Sequence, residues 1–281
     1  MTTDTWTARR ALTAVGNETV KGLRHGWSER LQILIELPLF VTFVLLLGFT
    51  VGKGTTIATT GRLDWHLDPR QAGWLFVGMA TFTYTYLHVQ KMFWRLLAEI
   101  QAGTLEQTYL SPLPSWVHVV GGRVLAAIAE TTVVVAVMYG VTSLVVRLGL
   151  HWRPDSLVPL AMLVTGAAGL ALIVAGITLV WKRVQMLNDL VLLAVLFFSG
   201  AVLPLAEMPG WARTIGAPVF MTHAVAGLRT VMLDGGSLAL GGTGGLAWML
   251  GTAAGWFAAG LVVFRLFERI AQRRGSLSHA Y

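Results

Sequence analysis

Long apolar runs separated by short polar segments make up most of this chain. Six of the runs are long enough to cross a hydrocarbon core as helices, which takes about 20 residues. Their approximate bounds are 31–51, 72–93, 116–148, 157–181, 187–205 and 246–267. The runs lack the strict alternation of a barrel strand, and lipid cannot satisfy an open backbone. The pattern predicts an all-α integral membrane domain over residues 31–281, with six transmembrane helices.

Residues 1–30 show a different pattern, in which apolar positions recur at near-helical spacing and charged positions take the other faces. The apolar positions are Leu12, Val15, Val20, Leu23, Trp27 and Leu31. A helix of this kind lies in the membrane interface, with its basic residues near anionic headgroups. We therefore expect a cytoplasmic amphipathic helix here that contacts membrane lipids. A positively charged topology anchor is the simpler alternative.

The composition agrees with lipid as the main solvent of the chain. Hydrophobic residues make up 55% of it and charged residues 12%, against about 25% charged residues in soluble domains. The net charge is +7, but Lys and Arg are scattered between the apolar runs, so we expect no nucleic-acid binding. The chain has no cysteine, no H-E-x-x-H and no G-x-S-x-G, so we expect neither a metal site nor a catalytic site.

The Lys and Arg residues of the connecting segments predict how the helices are oriented. Fourteen of them fall on the side that carries both termini, and seven fall on the opposite side. Because cytoplasmic segments carry the excess of basic residues, we expect both termini in the cytoplasm. The segments after the first, third and fifth spans then face the outside.

A short polar segment, EIQAGTLEQTYLSPLP, interrupts the apolar pattern between the second and third spans. Thr104 and Gln107 have the spacing of a capping box, and Gly103 offers a flexible entry. Pro112 ends the helix, because proline cannot donate a backbone hydrogen bond. The segment is thus predicted to form a short, capped helix on the cytoplasmic side. Such a helix can bind another protein, although a structured loop without a partner is the alternative.

This segment with its flanks, AEIQAGTLEQTYLSPLPSWVHVVGGR, resembles the coupling segment of ABC-2-type transporter permeases. In that family an acidic residue, a Gly-Thr-Leu-Glu core and a Ser-Pro-x-Pro-like end lie between the second and third spans. The resemblance implies that the segment binds a cytoplasmic ATPase. The residues it assigns to this coupling are Glu99, Gly103, Thr104, Leu105, Glu106, Ser111, Pro112 and Pro114.

Residues 197–229, FFSGAVLPLAEMPGWARTIGAPVFMTHAVAGLR, resemble the fifth span of the same family and the external re-entrant hairpin after it. The resemblance therefore implies a re-entrant hairpin between the fifth and sixth spans that acts as an external gate. The matching positions are Ser199, Gly200, Pro204, Pro209, Trp211, Pro218 and Arg229.

The family resemblance also implies a function and its partners. It implies an exporter in the bacterial plasma membrane that moves a hydrophobic drug, antibiotic or lipid-like substrate outward by alternating access. Two permease copies, identical or merely similar, would bind two ABC ATPase subunits. ATP and Mg would be held by those subunits, and this chain would bind no cofactor and would not be an enzyme. The segment Gly52–Thr56 fits this division, because Leu47 stands where a nucleotide-binding loop needs glycine.

Other functions stay open at the level of the sequence. Within the same fold, the cargo could be a lipid-linked polysaccharide or a peptide. A membrane-integral lipid-modifying enzyme would need His, Asp or Ser clustered at one membrane boundary, and the sequence shows no such cluster. An ATP-independent channel would need no ATPase partner.

Aromatic residues and one carboxylate suggest a translocation path through the spans. Aromatic side chains suit an apolar or flat cargo, although most aromatics in spans serve packing. Glu130 interrupts the third apolar run, and a carboxylate at that depth is expected to pair with another group or to contact substrate. The predicted path residues are Phe82, Tyr86, Glu130, Phe197 and Phe198.

Small residues predict where helices approach one another closely. Gly251 and Gly255 form a G-x-x-x-G in the sixth run, and Gly166 and Gly169 cluster in the fourth. The pattern leaves open whether these contacts lie within one chain or between two.

Overall fold

A computed structural model describes residues 8–28, 42, 69–105, 109, 117–145, 147–181, 184–242 and 245–274 of the chain. Every regular element in these ranges is a helix, and they contain no strand. The eight α-helices of the described ranges are α1 (Ala8–Ser28), α2 (Pro69–Gln101), α3 (Val124–Val145), α4 (Leu157–Val180), α5 (Gln185–Phe198), α6 (Gly210–Gly216), α7 (Phe220–Met232) and α8 (Leu246–Arg274). The predicted first span, 31–51, lies outside the described residues except for position 42.

Three helices in the described part of the chain are long and apolar enough to cross a membrane. They are Gly121–Leu144, Pro154–Val180 and Leu246–Arg274, which correspond to the third, fourth and sixth predicted spans. Helix α2 contains the second predicted span and continues beyond it to Gln101. The apolar pattern ends earlier than the helix does, because the last turns of α2 carry charged residues.

Helix α5 ends earlier than the sequence pattern predicts. The fifth apolar run reaches residue 205, whereas the helix ends at Phe198. Gly200 adopts a left-handed φ of 79°, and Pro204 follows in an extended conformation. The chain therefore turns back into a hairpin although its residues stay apolar, since hydrophobicity alone does not mark a turn.

A seven-residue π-helix, Val117–Arg123, precedes α3. Helix α1 packs against it. A Cβ on Gly121 would lie 2.7 Å from the side chain of Val15, and one on Gly122 would overlap Glu18. A Cβ on Gly22 of α1 would lie 2.5 Å from Ala126 Cβ of α3. Glycine at these points lets the two helices approach more closely than side chains would permit. A helix is present where the amphipathic helix was predicted, and it packs on the start of the third span; its place in the membrane interface stays a prediction.

Helix α4 lies at the centre of the bundle and contacts α8 through backbone atoms. A Cβ on Gly169 would overlap the backbone of Trp256, and one on Gly176 would lie 2.9 Å from Phe264 Cα. In contrast, a Cβ on Gly251 or Gly255 would meet no described atom within 4 Å. Gly166 and Gly169 of the fourth run thus serve packing within the chain, whereas Gly251 and Gly255 of the sixth face away from it.

Candidate functional site

Glu99 joins three elements at the predicted cytoplasmic ends of the helices. Its carboxylate lies 2.5 Å from Arg123 of the π-helix and 3.6 Å from Lys21 of α1. The Arg123 side chain is only 6% exposed. Loss of Glu99 would therefore break the ion pair of a buried cation, which is costly. The residue that begins the predicted coupling segment thus holds α2 against two neighbouring helices.

Gly103 ends helix α2 with a specific backbone geometry. Its φ is +67°, in the left-handed region that glycine occupies without strain. The Gly103 N–H donates to Ile100 O at 3.2 Å, and the Thr104 N–H donates to Glu99 O at 3.1 Å. This pair of bonds is a Schellman motif with glycine at its left-handed position. Leu105, which follows, is buried in the main hydrophobic core, so the start of the segment is firmly anchored.

Tyr109 connects the coupling segment to the far end of α8. Burial, followed by the charge of Glu268 and a hydrogen bond with it, raises the pKa of the Tyr109 hydroxyl above its ordinary value. The hydroxyl therefore stays protonated and donates to Glu268, which is itself buried. The segment thus contacts the cytoplasmic end predicted for the last span.

Glu130 sits in a second ion cluster next to the first. Its carboxylate lies 3.0 Å from Lys91 Nζ and 2.5 Å from Arg95 Nη2. Arg95 Nη2 also approaches Gly22 O at 3.3 Å. All three charged side chains are largely shielded from solvent. Glu130 therefore makes the structural pairing that the sequence left as one of two alternatives; a contact with substrate stays a prediction.

Arg229 of α7 holds the predicted external hairpin together. Its guanidinium donates to Gly200 O at 2.7 Å, to Ala201 O at 2.8 Å and to Trp74 O at 3.1 Å. It also lies over the Trp74 ring, 3.4 Å from the centroid. A planar guanidinium can serve several carbonyls and stack on a ring at once, which an ammonium cannot do. Arg229 thus joins α2, the turn after α5 and α7.

Gly78 lets α2 pass directly beneath this hairpin. A Cβ on Gly78 would overlap the Ala201 carbonyl and lie 2.5 Å from Arg229 Nη2. The absence of a side chain at this position is therefore a condition for the contacts of Arg229.

The other matched positions of the hairpin shape its turns. Pro204 O accepts from the Glu207 N–H at 3.0 Å, and Pro209 O accepts from the first turn of α6. Pro218 O accepts from Trp256 Nε1 of α8 at 2.8 Å. Trp211 packs edge-on against Phe198, with ring centroids 5.9 Å apart. Six of the seven gate residues predicted from the sequence thus fall within the single segment that joins α5 to α7, and the seventh, Arg229, lies in α7 itself.

The chain that forms these two clusters and the hairpin was compared with known proteins. A family model described as "ABC-2 type transporter" matches residues 24–233, which is three quarters of the chain. The chain belongs to the ABC-2 type transporter family. A search of curated proteins finds no significant match. The match confirms the family resemblance of the sequence, and it covers every coupling and gate residue named above.

Membership gives the ABC-2 permease a role in transport as a multi-pass membrane subunit, in a family that normally pairs with ABC ATPase subunits.

Four of the predicted coupling residues of the permease are described: Glu99, Gly103, Thr104 and Leu105. Glu106, Ser111, Pro112 and Pro114 lie outside the described residues. The Thr104 hydroxyl points back toward Glu99 O, at 3.4 Å. The ATPase-binding role of these residues stays a prediction.

The predicted path residues of the ABC-2 permease do not form one group. Phe82 and Tyr86 lie next to each other on α2, with ring centroids 6.0 Å apart, and Tyr86 is exposed. Phe197 of α5 is 58% exposed. A hydrogen bond from Gln90 to Asp189, at 3.0 Å, ties α2 to α5. Glu130 belongs to the ion cluster of α1, α2 and α3.

Several charged residues of the permease sites were not singled out by the sequence. Arg123, Lys91, Arg95 and Lys21 counted only toward orientation, and Glu268 was not considered. The i, i+4 spacing of Lys91 and Arg95 places both on one face of α2, which is a usable signal for a shared carboxylate. Nothing in the sequence indicates that Glu130 is that carboxylate, since the two helices are joined only in the tertiary fold.

Proposed function

We propose that the chain is the membrane subunit of an ATP-driven exporter in the bacterial plasma membrane. Two permease copies bind two cytoplasmic ABC ATPase subunits, which hold ATP and Mg. The substrate is a hydrophobic drug, antibiotic or lipid-like molecule, and it moves outward by alternating access. The observation that carries this proposal is the set of contacts around Glu99, Leu105 and Tyr109.

Those contacts allow the coupling segment to move several helices together. Glu99 is paired to α1 and to the π-helix, Leu105 is buried in the core, and Tyr109 bonds to α8. A displacement of the segment is therefore passed to the start of the third span and to the end of the last one. ATP binding drives export only if the ATPase holds this segment differently in its two states, because equal binding shifts no equilibrium.

The exposed aromatic residues of α2 and α5 support an apolar cargo. Tyr86 and Phe197 present large apolar surfaces outside the core of the chain. Aromatic rings give broad, adaptable contacts to flat or lipid-like molecules. In this proposal a second permease copy faces these two helices and completes the passage between the subunits.

The proposal is tested by purifying the full chain together with candidate ABC ATPases from the same host and by measuring binding and ATP hydrolysis. We expect a stable complex, and we expect Glu106→Arg to weaken it by about tenfold or more, because reversing an interface charge costs several kcal/mol. Glu207→Arg is the matched control, since Glu207 is an exposed carboxylate on the predicted external side. If no ABC ATPase of the host binds the chain, the proposal is wrong.

A further inference from the structure

A cavity of about 550 Å³ lies between α2, α3, α4 and α7. Its wall is almost entirely apolar and includes Phe76, Val135, Leu160 and Leu228. The volume falls within the range of about 300–1,000 Å³ that is usual for ligand pockets. No predicted path residue lines it, so the cavity is separate from the exposed aromatics of α2 and α5.

The cavity opens on the surface between α3 and α4. Ala136 of α3 and Leu157 and Ala161 of α4 line it, and all three are exposed on the outside of the bundle. Both helices are among those long and apolar enough to cross a membrane. In a membrane the molecules at this opening are lipids, and their acyl chains have the apolar character of the wall.

Aromatic residues close one end of the cavity. The Tyr139 ring lies 5.8 Å from that of Phe76 and 5.6 Å from that of Trp152. Trp152 also lines the cavity and is 57% exposed. Exposed tryptophan is typical of the boundary between hydrocarbon and headgroups. This end of the cavity thus has the character of the membrane–water boundary.

Basic residues adjoin, in sequence, the residues that form that same end. The segment that supplies Leu150 and Trp152 to the wall also carries Arg147, His151 and Arg153. Arg153 pairs with Asp155 at 3.5 Å. Arg147 is exposed, and in the described ranges no carboxylate pairs with it. A cation beside an apolar cavity complements a molecule with an anionic head and a long apolar tail.

We infer that this cavity binds one acyl chain of an anionic phospholipid, whose phosphate lies near Arg147. If the chain has the proposed orientation, this end of the cavity lies in the outer leaflet. The lipid binding does not depend on that orientation, and its tests use no ATPase. A failure of lipid binding therefore leaves the ATPase experiment untouched, and the reverse holds as well.

The first test counts the lipids that the purified chain retains in native mass spectrometry after incubation with dipalmitoyl phosphatidylglycerol. Ala136→Trp places a large ring in the cavity, and we expect it to retain one lipid fewer than the wild type. Val137→Trp is the matched control, because Val137 is an exposed neighbour that does not line the cavity. Equal retention by Ala136→Trp and the wild type would contradict the inference.

The second test does not depend on a bulky substitution. The chain contains no cysteine, so Ala136→Cys introduces one small thiol, whose rate of reaction with a bimane reagent can be measured as phosphatidylglycerol is added. We expect the rate at position 136 to fall and to level off at low lipid, whereas the rate at Val137→Cys should follow only the average lipid content of the micelle. A rate at position 136 that merely follows that average would overturn the inference.

The headgroup is tested by competition between phosphatidylglycerol and phosphatidylcholine. We expect the wild type to retain the anionic lipid preferentially, and we expect Arg147→Ala to reduce this preference severalfold. An equal affinity of the wild type for both lipids would show that the role given to Arg147 is wrong.

Discussion

Glu130 lies between Lys91 and Arg95 in a run of residues that is otherwise apolar. Glu130→Gln keeps the size of the side chain but removes the carboxylate that two shielded cations share. Breaking a buried ion cluster in this way costs about 3–5 kcal/mol. We therefore expect a clearly lower thermal midpoint of the purified chain in detergent. Asp189→Asn is the control, because among the described residues Asp189 makes an exposed hydrogen bond with Gln90 and no ion pair.

A second substitution distinguishes pairing from contact with substrate. If Glu130 acts by pairing, Glu130→Gln combined with Lys91→Met should recover part of the lost stability, since the double variant removes a shielded cation together with the carboxylate. Export should recover with it. If stability returns while export stays abolished, Glu130 contacts the cargo, and the structural explanation of its role is incomplete.

At the scale of elements, helix α1 and the π-helix before α3 form the contact that is most readily tested. A Cβ on Gly121 would lie 3.9 Å from Val15 Cβ, close to the separation of about 3.8 Å in a disulfide. We expect Val15→Cys with Gly121→Cys to cross-link on mild oxidation, detected by a mobility shift that reductant reverses. Gly16→Cys with Gly121→Cys should not cross-link, because Gly16 faces open space.

The elements themselves were largely predictable from sequence, and their ends were not. The apolar runs predicted α2, α3, α4 and α8, since burial in lipid or in the core requires the same residues. Helix α2 runs on to Gln101 because its charged residues find partners on other helices, which a local pattern cannot show. Gly103 was predicted as a flexible entry to the coupling helix, and the structure adds that it also ends α2.

At the scale of the whole molecule, the orientation in the membrane is the next prediction to test. We expect a cysteine at Gln107 to be protected from an impermeant thiol reagent in intact cells, and to react after the membrane is opened. A cysteine at Glu207, on the exposed turn after α5, should react in intact cells. Labelling of position 107 from the outside would overturn both the orientation and the coupling role.

The candidate sites were predictable only where they have local sequence motifs. Resemblance to the family located the coupling segment and the hairpin, because both have local motifs. The partners Arg123, Lys91 and Arg95 were not assigned, because their pairing depends on helices far apart in sequence. The contacts of Arg229 with Trp74 are equally invisible in sequence, since they require α2 to pass beneath the hairpin at Gly78.

The contact between α4 and α8 limits how this molecule can change shape. Their main chains touch at Gly169 and Gly260, so at this point no side chains separate the two helices. We expect the pair to move as one unit, so that a shape change during a transport cycle is taken up at its borders with the remaining helices. One added methyl group at Gly169 would overlap the α8 backbone at Trp256 and push the two helices apart there.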